Sequence, residues 1–203
     1  MSWIFERKIR HSDKNGTITA LKMFGRWSVK VDGVQQTGPS LQRVWHDAFR
    51  KVKDMFPDRA ITSILTLGLG GGGDVALYHR AFPGCTITFI EHDPEMVLLV
   101  KEIKLYEPFP FPNVIVDDAR NAIINLRTQF DLITVDLFRG REPSAHLTDP
   151  LFIQSMRNAL SPHGLLLINV FSKKECLQNS LPGFTTQGLW KFEHNNVGLF
   201  QKD

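Results

Sequence analysis

Acidic side chains follow three apolar runs of the 203-residue chain, each where a strand of a parallel sheet would end. Glu91 follows the run 86 to 90, Asp117 and Asp118 follow 113 to 116, and Asp136 follows 131 to 135. A fourth apolar run, 61 to 67, ends instead in Gly68-Leu69-Gly70-Gly71-Gly72-Gly73. Ordered glycine costs conformational entropy, so such a cluster signals either a flexible linker or backbone that must approach something closely. Its place between a strand and a helix favours close approach, because ligands of open α/β sheets bind outside the carboxyl ends of the strands. The GxGxG pattern with Glu91 at the tip of the next strand is the arrangement in which a carboxylate accepts both hydroxyl hydrogens of a ribose lying over the loop. Asp118 is a candidate acceptor for an exocyclic amino group such as that of adenine, and Asp136 projects into the cleft where chemistry would occur. Helix N-capping is the competing reading for these aspartates, strongest at Asp117.

The elements that must hold these groups change character near residue 40. Up to Gln36 the pattern is β-type runs broken at Asn15-Gly16, Gly25 and Asp32-Gly33, and such dipeptides between β-prone runs signal tight hairpins. This predicts a small antiparallel β module over 1–39, too small to be stable alone and so laid on the main domain or on a second copy of itself. From 40 to 203 a second domain is expected. "SLQRVWHDAFRKVKDMF" places Leu41, Val44, Trp45, Ala48, Phe49, Val52 and Phe56 on one helical face, with Ser40 as N-cap and Pro57 past the end. Strands are then expected at 61–67, 86–90, 113–116, 131–136 and 164–170, and helices near 73–82, 94–105, 119–127 and 148–160. The strands are continuous apolar runs, as when helices cover both faces of a sheet. The alternation predicts an α/β fold with a doubly wound, mostly parallel seven-stranded sheet. Its last two strands, joined at Asn195-Asn196, form an antiparallel hairpin.

Composition narrows the function classes. With 42% hydrophobic and 22% charged residues the chain has the makings of a real core. A net charge of +3, with basic residues dispersed along the sequence, does not point to nucleic acid. Cys85 and Cys176 stand far apart with no CxxC spacing, so no metal site is expected and a reduced, cytoplasmic setting fits. No stretch approaches the ~20 consecutive apolar residues of a membrane helix, and the opening "MSWIFERKIRHSDKNG" lacks the apolar core of a secretory leader.

Together these features resemble the class I methyltransferase fold, which binds S-adenosylmethionine, and more narrowly the spermidine synthase family built on it. "DGVQQTGPSLQRVWHD" supplies Asp32, Gly33 and Gln36 of the family's DGxxQ segment, then Trp45-His46-Asp47 at the place of its Tyr-His-Glu without a gap. Asp118-Ala119 stands at its Gly-Asp-Ala, and "DLFRGREPSAHL" keeps Asp136, Pro143 and Leu147 in register with its fourth-strand motif. The resemblance spans roughly residues 17 to 202. It implies a nucleoside site built from Gln36, Gly68, Gly70, Gly72, Glu91, Asp118 and Ala119.

Three departures bear on activity. The family's second fourth-strand aspartate, which helps bind or deprotonate an attacking amine, is replaced by Arg139. The aspartate of its GGGDGG loop aligns with Gly71, and its tyrosine with Trp45, which loses a hydroxyl. Arg139 and Arg141 oppose polyamine recognition, and a loop without an acid at 71 offers backbone N–H groups to a carboxylate-bearing tail. S-adenosylmethionine is therefore expected as cofactor in preference to its decarboxylated form, with transfer of an alkyl group from the sulfonium to a small-molecule acceptor. Asp136 is the first candidate base and His46 the second, because the ordinary value for histidine lies near neutrality; a surface or packed histidine is the other reading of His46. A homodimer is expected, without nucleic-acid or membrane partners. Two further readings stay open: an aminopropyltransferase with relocated acids, for example Asp74 or Glu142, and a nucleoside-binding dimer without catalysis.

Overall fold

A computed structural model describes residues 5–139, 142–143, 145–171 and 181–203. The expected hairpins form a four-stranded antiparallel sheet in the order β1 (Phe5–Ser12), β2 (Gly16–Met23), β3 (Arg26–Val31), β4 (Val34–Thr37). Both turn residues are left-handed at Phe24-Gly25 (φ 48° and 78°) and at Asp32-Gly33 (43° and 81°), as a type I′ hairpin turn demands. The inward face of this sheet has an apolar, buried centre: Ile18, Ala20 and Val29 are 0% exposed and join the same core as Trp45 and Phe49. Lys8 and Arg10 of β1 bridge to Glu102 and Glu95 at 2.7 and 2.9 Å. Such exposed pairs contribute little energy, so the apolar face is what docks the module.

Helix α1 (Pro39–Met55) buries Val44, Trp45, Ala48, Phe49 and Val52, the stripe its periodicity predicts. Its N-cap is Gly38 with Pro39 in the first turn, not Ser40: proline's preset φ and missing N–H suit the first helical position. Then follow β5 (Ser63–Leu67), α2 (Val75–Ala81), β6 (Thr86–Glu91), α3 (Pro94–Ile103), β7 (Asn113–Val116), α4 (Ala119–Asn125), β8 (Phe130–Val135), a two-residue pair β9 (Phe138–Arg139) and β10 (Glu142–Pro143), a short 3-10 turn (Ala145–Thr148), α5 (Pro150–Ala159), β11 (Leu160–Phe171), β12 (Phe184–Phe192) and β13 (Asn195–Lys202).

The main sheet has seven strands in the order β12-β13-β11-β8-β5-β6-β7. Neighbours from β11 through β7 run parallel, while β13 is antiparallel to both β11 and β12. Strand order reverses between β5 and β8, which opens a crevice at their carboxyl ends. The closing hairpin turns at Glu193-His194, not at Asn195-Asn196. Glu193 takes the positive φ (54°), while both asparagines are buried inside β13, Asn195 opposite Phe171 and Asn196 opposite Val170. Among the described residues, no helix is long and apolar enough to cross a membrane, and no group of three or more metal-ligating side chains forms. Cys85 is a buried free thiol; Cys176 lies outside the described residues.

Candidate active site

A cavity of about 630 Å³ lies at the reversal point, between the glycine loop and the inner edge of the N-terminal sheet. Its size suits a nucleoside-sized ligand with room beside it. Gly68, Gly70, Glu91 and Asp136 line it from the main sheet, and Gln36 and Lys30 from the β module. The wall away from Glu91 is Phe138, Phe171 and the hairpin turn with Asn195.

The glycine loop is built around close approach. Gly68 has φ 96°, and a Cβ there would stand 2.6 Å from the Asp136 carbonyl oxygen, so any side chain would push the loop off β8. Glu91, 6% exposed, latches the loop: its Oε2 accepts from Leu69 N and its Oε1 from Asp93 N, both at 3.0 Å. A carboxylate has about four acceptor directions; with His92 Nδ1 also 2.9 Å from Oε1, one remains, on Oε2, for a hydroxyl donor in the cavity. The Gly70 N–H has no acceptor among the described residues, and Gly70 lines the same space.

At Gly71 the structure explains the missing acid. A Cβ would collide with Thr37 Cγ2 and approach Val29 Cβ at 2.9 Å. The β module occupies the volume that a side chain on the loop would need.

Asp136 is held by two neutral donors, Asn169 Nδ2 to Oδ1 at 2.8 Å and Trp45 Nε1 to Oδ2 at 3.3 Å. The tryptophan that replaces the family's tyrosine therefore still supplies a donor. Burial pushes the Asp136 carboxyl up, and these two hydrogen bonds oppose the shift.

Four of the expected site residues do not line the cavity. His46 projects from the outer face of α1, its side chain 64% exposed and 3.1 Å from Asp47; the helical period that buries Trp45 turns its neighbour to solvent. Asp118 caps α4, its Oδ1 accepting from Arg120 N at 2.9 Å, while Asp117 accepts from Asp118 N instead. Capping thus belongs to Asp118, and the stronger capping expectation for Asp117 does not hold. Ala119 is buried as the first residue of that helix. Gly72 is buried beneath the loop, its Cα side against Val100 of α3.

Sequence reasoning missed Asn169, Asn195 and His92. The signal for the first was on the page: one polar residue within the apolar run "GLLLINVF". His92 follows Glu91 and its Nδ1 lies 2.9 Å from Oε1. That contact raises the histidine's pKa, partly offset by burial. The favourable pairing is complete below about pH 6.5, the ordinary histidine value, and is lost as pH rises through the raised folded-state value. In Glu91→Gln the imidazole midpoint, read by NMR titration, is expected to move to lower pH; an unmoved midpoint would refute the pairing.

No protein-family model matches the chain. It is 30% identical over 112 residues to a polyamine aminopropyltransferase of Vibrio vulnificus, covering 54% of this chain and 38% of that protein. It is 29% identical over 128 residues to an eEF1A lysine and N-terminal methyltransferase homolog of Drosophila melanogaster, covering 57% and 18%. The chain thus spans under half the length of these relatives. Among solved structures it matches one described as a probable spermidine synthase from Corynebacterium glutamicum with a TM-score of 0.74, covering 97% of this chain and 80% of that one at 20% identity. Human methyltransferase-like protein 13, solved in complex with S-adenosylhomocysteine (SAH), matches at 0.62, covering 81% and 82% at 20% identity. Sheet order, glycine loop and helix placement agree with these likenesses: the chain has the Rossmann-like fold shared by spermidine synthases and class I S-adenosylmethionine-dependent methyltransferases, and resembles both in sequence.

Proposed function

We propose that the chain is an S-adenosylmethionine-binding transferase that moves a methyl group to a small-molecule acceptor. The observation that carries the choice of donor is the filled space at Gly71. Decarboxylated S-adenosylmethionine ends in an ammonium that needs an acid at this loop, and Thr37 leaves no room for one. The free Gly70 N–H suits a carboxylate tail instead. Glu91 is placed to accept from a ribose hydroxyl, and Gln36 faces the nucleoside from the β module.

The donor supplies an already activated sulfonium carbon, so the protein's work is positioning and exclusion of water. Asp136, between the nucleoside end and the Phe138–Phe171 wall, is the cavity group we assign to take an acceptor proton. His46 has no part in this, since it faces solvent. In the assembly we propose, a second copy pairs along β1, whose outer edge has no strand partner among the described residues and which carries Phe5 and Ile9, 57% and 47% exposed.

Aminopropyl transfer remains the second reading because Glu193 puts one more acid at the acceptor end. Asp74 does not line the cavity, and the side chains of Arg139 and Glu142, with all of Arg141, lie outside what is described. Calorimetry with S-adenosylmethionine, its decarboxylated analogue and methylthioadenosine decides the matter. Tighter binding of the carboxylated donor is expected; preference for the decarboxylated one would overturn the methyltransferase reading.

A further inference from the structure

Asn169 is 1% exposed near the carboxyl end of β11, between Ile168 and Val170, at 2% and 0%. An aliphatic residue would fill this place without desolvating an amide, and an amide left unpaired there would be destabilising. Both of its ends are paired. Nδ2 donates to Asp136 Oδ1 at 2.8 Å, and Oδ1 accepts from Asn195 Nδ2 at 2.9 Å. An ionised carboxylate can only accept, so the Asn169 amide group must turn its NH₂ toward Asp136. That orientation leaves its oxygen facing β13, where Asn195, 6% exposed, supplies the donor.

We infer that Asn169 and Asn195 are positioning residues for Asp136: Asn195, carried on the C-terminal hairpin, locks the Asn169 amide so that the carboxylate stays ionised and turned to the cavity. The role matters because the surroundings work against ionisation. Asp74, at the start of α2, lies close enough to feel the Asp136 charge. Glu91 after β6 and Glu193 of the hairpin turn add negative charge to the same cavity, against Lys30 of β3 and the rings of His92 and His194. From α1 the contribution is neutral, the Trp45 N–H.

The importance of Asp136 rests on the function proposed above; the coupling of the asparagines to it does not, and the test separates the two. In the full chain with ¹³C-labelled aspartate carboxyls, and Asp136→Asn to assign the signal, the Asp136 midpoint is followed against pH. Asn169→Leu and Asn195→Ala are both expected to move it to higher pH, Asn169→Leu further. Should Asn169→Leu fail to fold by circular dichroism, Asn195→Ala decides alone. An unmoved midpoint in folded Asn169→Leu overturns the inference, and one unmoved in folded Asn195→Ala overturns the lock. A separate calorimetric comparison then reads function: the preference for S-adenosylmethionine over the uncharged thioether SAH should fall about threefold or more in Asn169→Leu at neutral pH. A moved midpoint with an unchanged preference would leave the positioning intact and count against Asp136 facing the sulfonium.

Discussion

Replacing Glu91 by alanine is expected to weaken S-adenosylmethionine binding by about 2–3 kcal/mol, roughly 30- to 160-fold in Kd. Two losses combine. A charge-assisted hydrogen bond from a ribose hydroxyl disappears, and the latch that holds Leu69 N and Asp93 N at 3.0 Å is released, so the glycine loop must be ordered by the ligand itself. Glu91→Gln separates these contributions. Its carbonyl oxygen can keep one backbone N–H, but its amide nitrogen cannot accept from a hydroxyl, so an intermediate loss is expected. Calorimetry on both variants checks this, and wild-type affinity in Glu91→Ala would remove Glu91 from the nucleoside site.

Substituting Asp74 by asparagine is expected to stabilise the protein at alkaline pH. Asp74 precedes α2 without capping it, and its Oδ1 is shut from solvent with no hydrogen-bond partner among the described residues. Burial first, and the charge of Asp136 second, push its carboxyl up to about 7. An unfolded aspartate titrates near 3.9. Between roughly pH 4 and 7 the folded chain therefore holds a proton that the unfolded chain releases, so stability falls as pH rises through that window and stays low above it. Asparagine keeps the shape and never ionises. Relative to wild type, Asp74→Asn should gain about 2–4 kcal/mol at pH 8 and close to nothing at pH 4. Denaturant unfolding at the two pH values checks this; an equal difference at both would mean that the folded-state pKa of Asp74 is not raised above its unfolded value.

The same pair of acids shows how the site differs from its reading in sequence. Asp136 was legible because it closes an apolar run at a strand end, and that position alone puts it at the mouth of a parallel sheet. Its partners were not, since Trp45, Asn169 and Asp74 come from α1, β11 and the start of α2, elements distant in the chain. His46 and Asp118 stand off the cavity for a related reason. Both match a motif in order along the chain, yet which way a side chain points is set by the helix it belongs to: one sits on the outer face of α1, the other turns back to the N–H groups of α4.

What the amino-acid order determined by itself was whatever depends on near neighbours. Hairpin turns follow from the left-handed freedom of Asp-Gly and Asn-Gly, the alternation of strands and helices from apolar periodicity, and the glycine loop with Glu91 from the spacing of a strand–helix–strand unit. Ser40 was misplaced because Pro39 suits the first helical position, and the Asn195-Asn196 turn because pairing with β11 draws both asparagines into β13 and leaves the turn to Glu193-His194. Tertiary structure alone decided that Thr37 fills the space beside Gly71 and that Asn195 reaches Asn169. Those contacts depend on how two sheets dock and on the register of β13 against β11, and both are settled by burying apolar faces across long stretches of chain, which no local pattern encodes.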